Sequence, residues 1–482
     1  MASVEMGVDL STLVDALISG NHEQIVAAAR DHLQHGEAAD VLIGRLGMIV
    51  AHGDPDGHII TTLTAAAMLA RYLHWIPGPL DTNEPARDQA LPLFVQALLV
   101  AAPAVRAGHN AQDQYPKPFF PSALVDTGKT VNDKLHEAIY GNDELLAERL
   151  LFGLYGTGAD YRTMQVRAYD SIATTFQNAG HPQIFAVRGF QLLDTVEWGD
   201  RAPNIIHWLA PHLPLRPDAN EPEWVNTVRT FTADPSHSLT SIRTRLAPPK
   251  AENALPLRSL LLSDADTTQV CQGVYDAIIK GEASPRAVGS VIALAAADVL
   301  QKIDEGNREA FVHAAHGLLF SAATRLVFQQ VQDVEVLNLL FTSAAYINAL
   351  HKETAAQQGT ARPATTPPST TSPAGGGLIA GAQLEVLRSQ LKAQDFSSAL
   401  VTARRYLQLR HDPRALFGTI GLVAALTDAT ADQGHTLQIV QAASEEFMAW
   451  PASLADTNIE GLLQIALRAA TSGQRNPLIS NW

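Results

Sequence analysis

The sequence predicts an all-α protein assembled from four related helical units, and three observations carry that expectation. Outside its loops the chain runs in helical rather than alternating periodicity, with Ala, Leu, Gln and Glu in place of strand-favouring aromatic and β-branched runs. A weak internal repeat joins Leu13-Val-Asp-Ala-Leu-Ile-Ser-Gly20, Leu135-His-Glu-Ala-Ile-Tyr-Gly141 and Val274-Tyr-Asp-Ala-Ile-Ile-Lys-Gly281, with a looser copy from Leu387 to Ala393. Each copy reads as a short amphipathic helix closed near a glycine or alanine, and the next follows roughly 110 to 140 residues later. Units that bury their faces against one another in this way build either a solenoid or a pseudo-symmetric bundle.

In chain order, the first unit covers residues 1–130. Its Gly53-Asp54-Pro55-Asp56-Gly57 run is a loop, and Gly57-His58 opens its long helix. Leu91 to Val105 is apolar but short, and Pro92 and Pro103 interrupt it, which suits a core helix. Gln114 to Pro121 is a further loop. The second unit, residues 131–260, ends in a proline-rich region from Pro211 to Pro256, and the third spans 261–352. Residues 353–378 turn to Ala, Thr, Ser, Pro and Gly and read as a disordered tether to the fourth unit, 379–482.

Composition excludes several functions. A chain of 482 residues with 46% hydrophobic content can bury a large core. Its net charge of −15 repels phosphate backbones and anionic membranes, and no basic patch offsets it: Arg404-Arg405 with Arg410 and His411 reads as a helix end. Nucleic acid and membrane are therefore not expected partners. Cys271 is the single cysteine, so disulfides, multi-thiolate zinc sites and a Rieske cluster are ruled out within this chain. With no leader-like start and no long uninterrupted apolar run, a cytoplasmic location is expected.

The chemistry-bearing residues are histidines. Glu309, His313 and His316 fall within about 60° of one another on one helix face, a possible metal-ligand stripe. His58 opens a helix in the first unit and His435, after Gly434, opens one in the fourth. In the second unit the corresponding segment is read as Ala159 to Arg167, which has no histidine, so one ligand position would be empty. Each feature has a plainer reading. A lone imidazole on an apolar face is commonly a hydrogen-bonded core residue. Glu309 can be a first-turn carboxylate complementing the helix dipole. Asp160, Tyr161, Arg162 and Arg167 either hold an anion or brace the fold by ion pairing, and bracing is expected. The helical diiron pattern requires Glu and His at i, i+3 from two helices; the i, i+4 spacing of Glu309 and His313 departs from it. Gly153 to Gly158 lacks the strand and lysine of a phosphate loop, and no nucleophile elbow occurs.

Gly57-His58, Leu154-Tyr155-Gly156 with Ala159 to Arg162, Arg308 to His313, and His435-Thr-Leu-Gln438 running to Glu445 together resemble a family of large bacterial helical proteins, some members of which carry a Rieske-type ferredoxin domain. More distantly the chain is similar to questin-oxidase-like proteins. The resemblance implies one histidine per unit around a metal or redox centre. His58, His313 and His435 fit, while the second-unit histidine is replaced near Gln165 and Val166. The expectation is thus a metal-dependent oxidoreductase-like protein. His58, His313 and His435 would bind iron or another divalent metal, with Glu309 or His316 as a further ligand, an apolar organic substrate, and electrons from a separate protein. The alternative is a non-catalytic helical-repeat scaffold for a protein partner.

Overall fold

The four repeat copies become helices near the start of four helical units in the computed structural model. The structure describes residues 9–77, 88–108, 114–158, 161–196, 198, 201–216, 220–239, 254–280, 283–331, 333–357, 380–455 and 457–479. The first unit contains α1 (Ser11–Ser19), α2 (His22–Gln34), α3 (Ala39–Val50), α4 (His58–Ala70) and α5 (Leu91–Gly108). The second contains α6 (Val131–Tyr140), α7 (Glu144–Gly156), α8 (Tyr161–Ile172), α9 (His181–Val196), α10 (Ala202–Leu209) and α11 (Glu223–Ala233). The third contains α12 (Pro256–Leu261), α13 (Thr267–Ile279), α14 (Pro285–Gln301), α15 (Arg308–Gln330) and α16 (Asn338–Gln357). The fourth contains α17 (Ala380–Lys392), α18 (Phe396–Gln408), α19 (Pro413–Ala424), α20 (His435–Met448) and α21 (Glu460–Ser472). Among the described residues there is no strand, only an isolated bridge between Thr427 and Arg475.

The repeat copies fall on α1, α6, α13 and α17. Their apolar positions, such as Leu135, Ala138 and Ile139 or Leu384, Leu387 and Leu391, are buried at helical spacing. Capping fixes their starts: Thr130 and Asp133 form a reciprocal box before α6, and Asp266 and Gln269 do so before α13. Pro103 sits inside α5 without ending it. α5 and α15 are long and apolar enough to cross a membrane by length and composition, and both are mostly buried within the protein. The tether begins later than residue 353, because Glu353 to Gln357 continue α16. Residues 358–378 of the expected tether, and residue 379 of the fourth unit, lie outside the described residues.

One long helix from each unit forms the centre. α4 packs on α9, α9 on α15, α15 on α20 and α20 back on α4. These contacts close a ring of four helices. The contacts repeat around it. A Cβ on Gly57 would collide with Phe185 on α9, one on Gly180 with Phe320 on α15, and one on Gly434 with Thr62 on α4. All three glycines have positive φ (76°, 84° and 72°), so an L side chain there would be both strained and obstructed.

Further along the same helices lies a second polar tier. Arg325 on α15 pairs with Glu446 on α20 at 2.6 Å, each side chain only 1% exposed. Arg188 on α9 reaches Glu445 at 2.9 Å, and Gln191 donates to the same carboxylate at 2.6 Å. Burial pushes Glu446 up to about 7 against the pull of Arg325. For Glu445 burial acts upward too, but Arg188 overrides it and holds the carboxyl below its ordinary value. Removing one partner of a fully buried pair strands the other charge. Glu446→Leu is therefore expected to lower unfolding free energy by about 3–5 kcal/mol in urea titrations, and Arg325→Met added to it to restore most of the loss.

Candidate metal centre

One imidazole from each unit meets at the N-terminal end of the helical ring. His58, His181 and His435 are the first residues of α4, α9 and α20, each directly after a left-handed glycine. α15 starts more than two turns earlier, so its histidine at this level, His316, lies within the helix. Ring centroids are 4.9 Å apart for His58–His181, His181–His316 and His316–His435, and 5.5 Å for His435–His58, which closes the circuit. The ligating nitrogens of His58, His181 and His435 all lie within 4.8 Å of one another, so this triad can hold a metal ion. Nε2 of His316 lies 3.2 Å from Nε2 of His435.

Backbone carbonyls set the direction of these rings. Nδ1 of His435 donates to the Asp432 carbonyl at 2.6 Å, Nδ1 of His316 to the Val312 carbonyl at 2.8 Å, and Nδ1 of His181 to the Asn178 carbonyl. A carbonyl oxygen only accepts, so Nδ1 carries the proton in each ring and Nε2 keeps its lone pair. Burial, reinforced by the neighbouring imidazoles, keeps the rings neutral: His181 and His316 are pushed down to about 3 and His435 to about 4. Burial lowers His58 as well. Three of the four rings thus offer inward lone pairs, and those of His316 and His435 face each other.

The surrounding residues hold the helix ends in place. Asp54, 3% exposed, accepts from the amides of Ile59 and Ile60 and from Trp208 Nε1, at 3.2, 2.9 and 3.2 Å. It supplies the cap that Gly57 lacks and fixes the first turn bearing His58. Burial pushes its carboxyl up to about 6. Asp432 accepts from Arg308 at 2.7 Å and from the Thr436 hydroxyl at 2.6 Å, anchoring the carbonyl that orients His435. Phe185 walls one side, its ring 5.0 Å from His181, 5.9 Å from His58 and 4.9 Å from the half-buried His212.

Among the expected ligands, His58, His435 and His316 converge here. His313 and Glu309 do not. His313 is about half exposed and faces Glu353 at 3.3 Å, and Glu309 is exposed in the first turn of α15. His313 and His316 differ by only 60° on a helical wheel, too little for periodicity to decide which one points inward. The second unit is not empty: His181 fills the place, on α9, whereas Tyr161 to Arg167 lie on the preceding helix α8. Its signal was the pair Gly180-His181, which repeats Gly57-His58 and Gly434-His435. Arg167 pairs with Glu335, the bracing role expected of it, and Asp160 lies outside the described residues.

The chain matches no family model, no curated protein and no solved structure. What the site can do rests on its own geometry.

The lowered imidazoles fix the pH dependence of the metal-free protein. A histidine held neutral in the fold gains its proton more readily when unfolded, so its contribution is fully present above about pH 6.5 and is lost as pH falls toward 3–4. Asp54 and Glu446, raised by burial, run the other way and offset part of the loss. Comparison with His181→Gln isolates the ring. Wild type is expected to lose on the order of 1 kcal/mol more per pH unit than this variant between pH 6.5 and 4.5, read from urea unfolding at each pH.

Proposed function

We propose that this protein is a metal-dependent oxidoreductase-like protein whose ion is held by His58, His181 and His435, with His316 as a fourth ligand. The supporting observation is the 3.2 Å approach of two Nε2 atoms whose Nδ1 protons are both given to backbone carbonyls. Two bare lone pairs at that distance repel unless a cation lies between them. An extra proton would serve, but burial disfavours an imidazolium there. Nitrogens each about 2.1 Å from one ion and 3.2 Å apart subtend about 100° at it, a normal angle for imidazole coordination.

Imidazole donors suit iron, copper, nickel and zinc. Iron is the metal favoured in this reading. The likeness to helical proteins that carry a Rieske-type domain implies electron delivery, and this chain, with one cysteine, would take electrons from a separate protein. The aromatic wall of Phe185 and Trp208 supports an apolar organic substrate. Polar groups gather inward around the four rings, which favours this reading over a scaffold that recognises a protein along an outer groove.

Untagged protein purified in metal-replete medium is expected to carry about one equivalent of transition metal by elemental analysis. The His58→Ala, His181→Ala, His435→Ala triple variant should carry almost none, whereas His313→Ala should match wild type. Metal that persists in the triple variant, or that disappears with His313→Ala, contradicts the assignment.

A further inference from the structure

We infer that the metal's exogenous ligand is an anionic oxygen group, so that the substrate is an otherwise apolar organic molecule bearing a carboxylate or a similar anion. This rests on the metal reading above and specifies what the metal would bind.

Charge at the centre would be uncompensated. All four ring side chains are neutral donors, so a bound divalent ion keeps its full charge in a largely buried setting. Among the described residues, the carboxylates nearest the rings are already tied to other groups. Asp54 is engaged by two amides and Trp208, and Asp432 is tied through Oδ2 to Arg308 and Thr436, its buried Oδ1 making no hydrogen bond. Glu445 and Glu446 lie a tier away, engaged by Arg188 and Arg325. Asp56 is exposed and acts on His58 through its backbone carbonyl and, more weakly, through its charge. An isolated buried charge is penalised by several kcal/mol, and an anionic partner relieves most of that.

α4, α9 and α20 all begin at the ring, so three helix N-termini direct their positive ends toward it. Cation-binding sites that use helix ends normally use the opposite, carbonyl end. Here the N-termini favour a negative group beside the metal. The imidazoles supply the independent sign of a ligand: His181, His316 and His435 are more than nine-tenths buried, and the proton each gives to a carbonyl leaves its Nε2 lone pair directed inward. A metal satisfies those lone pairs, and an anion then completes the charge.

His58 is the least buried of the four, and its Nδ1 has no well-formed hydrogen bond. The half-buried His212 and the Phe185 ring flank it. A ligand entering on this side would place an apolar body against Phe185 and Trp208 while its anionic end reached the metal.

Formate and formamide have nearly the same shape and differ in charge, so they isolate the claim. The full-length protein is loaded with cobalt(II) in chloride-free buffer, and its visible d–d bands are followed while each probe is added. Formate should shift the bands with a Kd at or below about 1 mM and bind at least about tenfold more tightly than formamide, with azide competing for the same change. Equal affinity of the two probes, or bands that stay unchanged at about a hundred times that concentration while cobalt remains bound, overturns the inference and leaves the metal centre standing. Failure to bind cobalt at all removes the metal centre, and this inference with it.

Discussion

The carbonyl oxygens of Asn178, Val312 and Asp432 decide what this protein's centre can be. By accepting the Nδ1 protons of His181, His316 and His435 they settle the tautomer of each ring, and with it the direction of each remaining lone pair. Burial removes the other escape, protonation, by holding these imidazoles far below their ordinary range. Left alone, such an arrangement concentrates unsatisfied acceptors at one buried point. The fold tolerates it only because the helices that deliver the rings are clamped to one another.

That clamp is cyclic. Each left-handed glycine ahead of a histidine lets its helix start against a residue one turn past the next helix's histidine: Gly57 against Phe185, Gly180 against Phe320, Gly434 against Thr62. Three of these helices, α9, α15 and α20, then meet again in the Arg188, Arg325, Glu445 and Glu446 tier. One fully buried and one largely buried ion pair contribute little net stability. They do fix the rotation and register of α9, α15 and α20, which the histidine end requires, since a ring displaced by one residue would face away. The orienting tier and the ligand tier are therefore two ends of one device.

Much of this was legible in the sequence, but unevenly. The all-helical class followed from periodicity, and the repeat at Leu13, Leu135, Val274 and Leu387 marked four amphipathic helices, α1, α6, α13 and α17. The Gly-His pairs marked two of the four rings. His181 escaped because the second unit was aligned near Gln165, although the spacing was present: the ring histidines lie 45, 46, 42 and 48 residues after the first residue of the four copies. Gln165 lies only 30 residues after Leu135 and so falls on the preceding helix. In the third unit the extra turns of α15 put two histidines within reach of the same face, and only the packing of α15 against α20 selects His316 over His313. Of the Arg/Glu tier, helical spacing placed Glu446 on the His435 face of its helix but gave no sign of the pairing. Glu445 and Glu446 are adjacent in sequence like any solvated acidic pair, and their partners lie on helices far away along the chain.

The most direct measurement is anomalous diffraction at a transition-metal absorption edge from crystals of the full-length protein grown with cobalt(II). The account requires a single strong peak enclosed by the Nε2 atoms of His58, His181, His316 and His435, about 2.1 Å from each coordinating nitrogen. A peak beside His313 and Glu353 instead, or crystals in which the four imidazoles stay closed on one another with no scatterer between them, would contradict it.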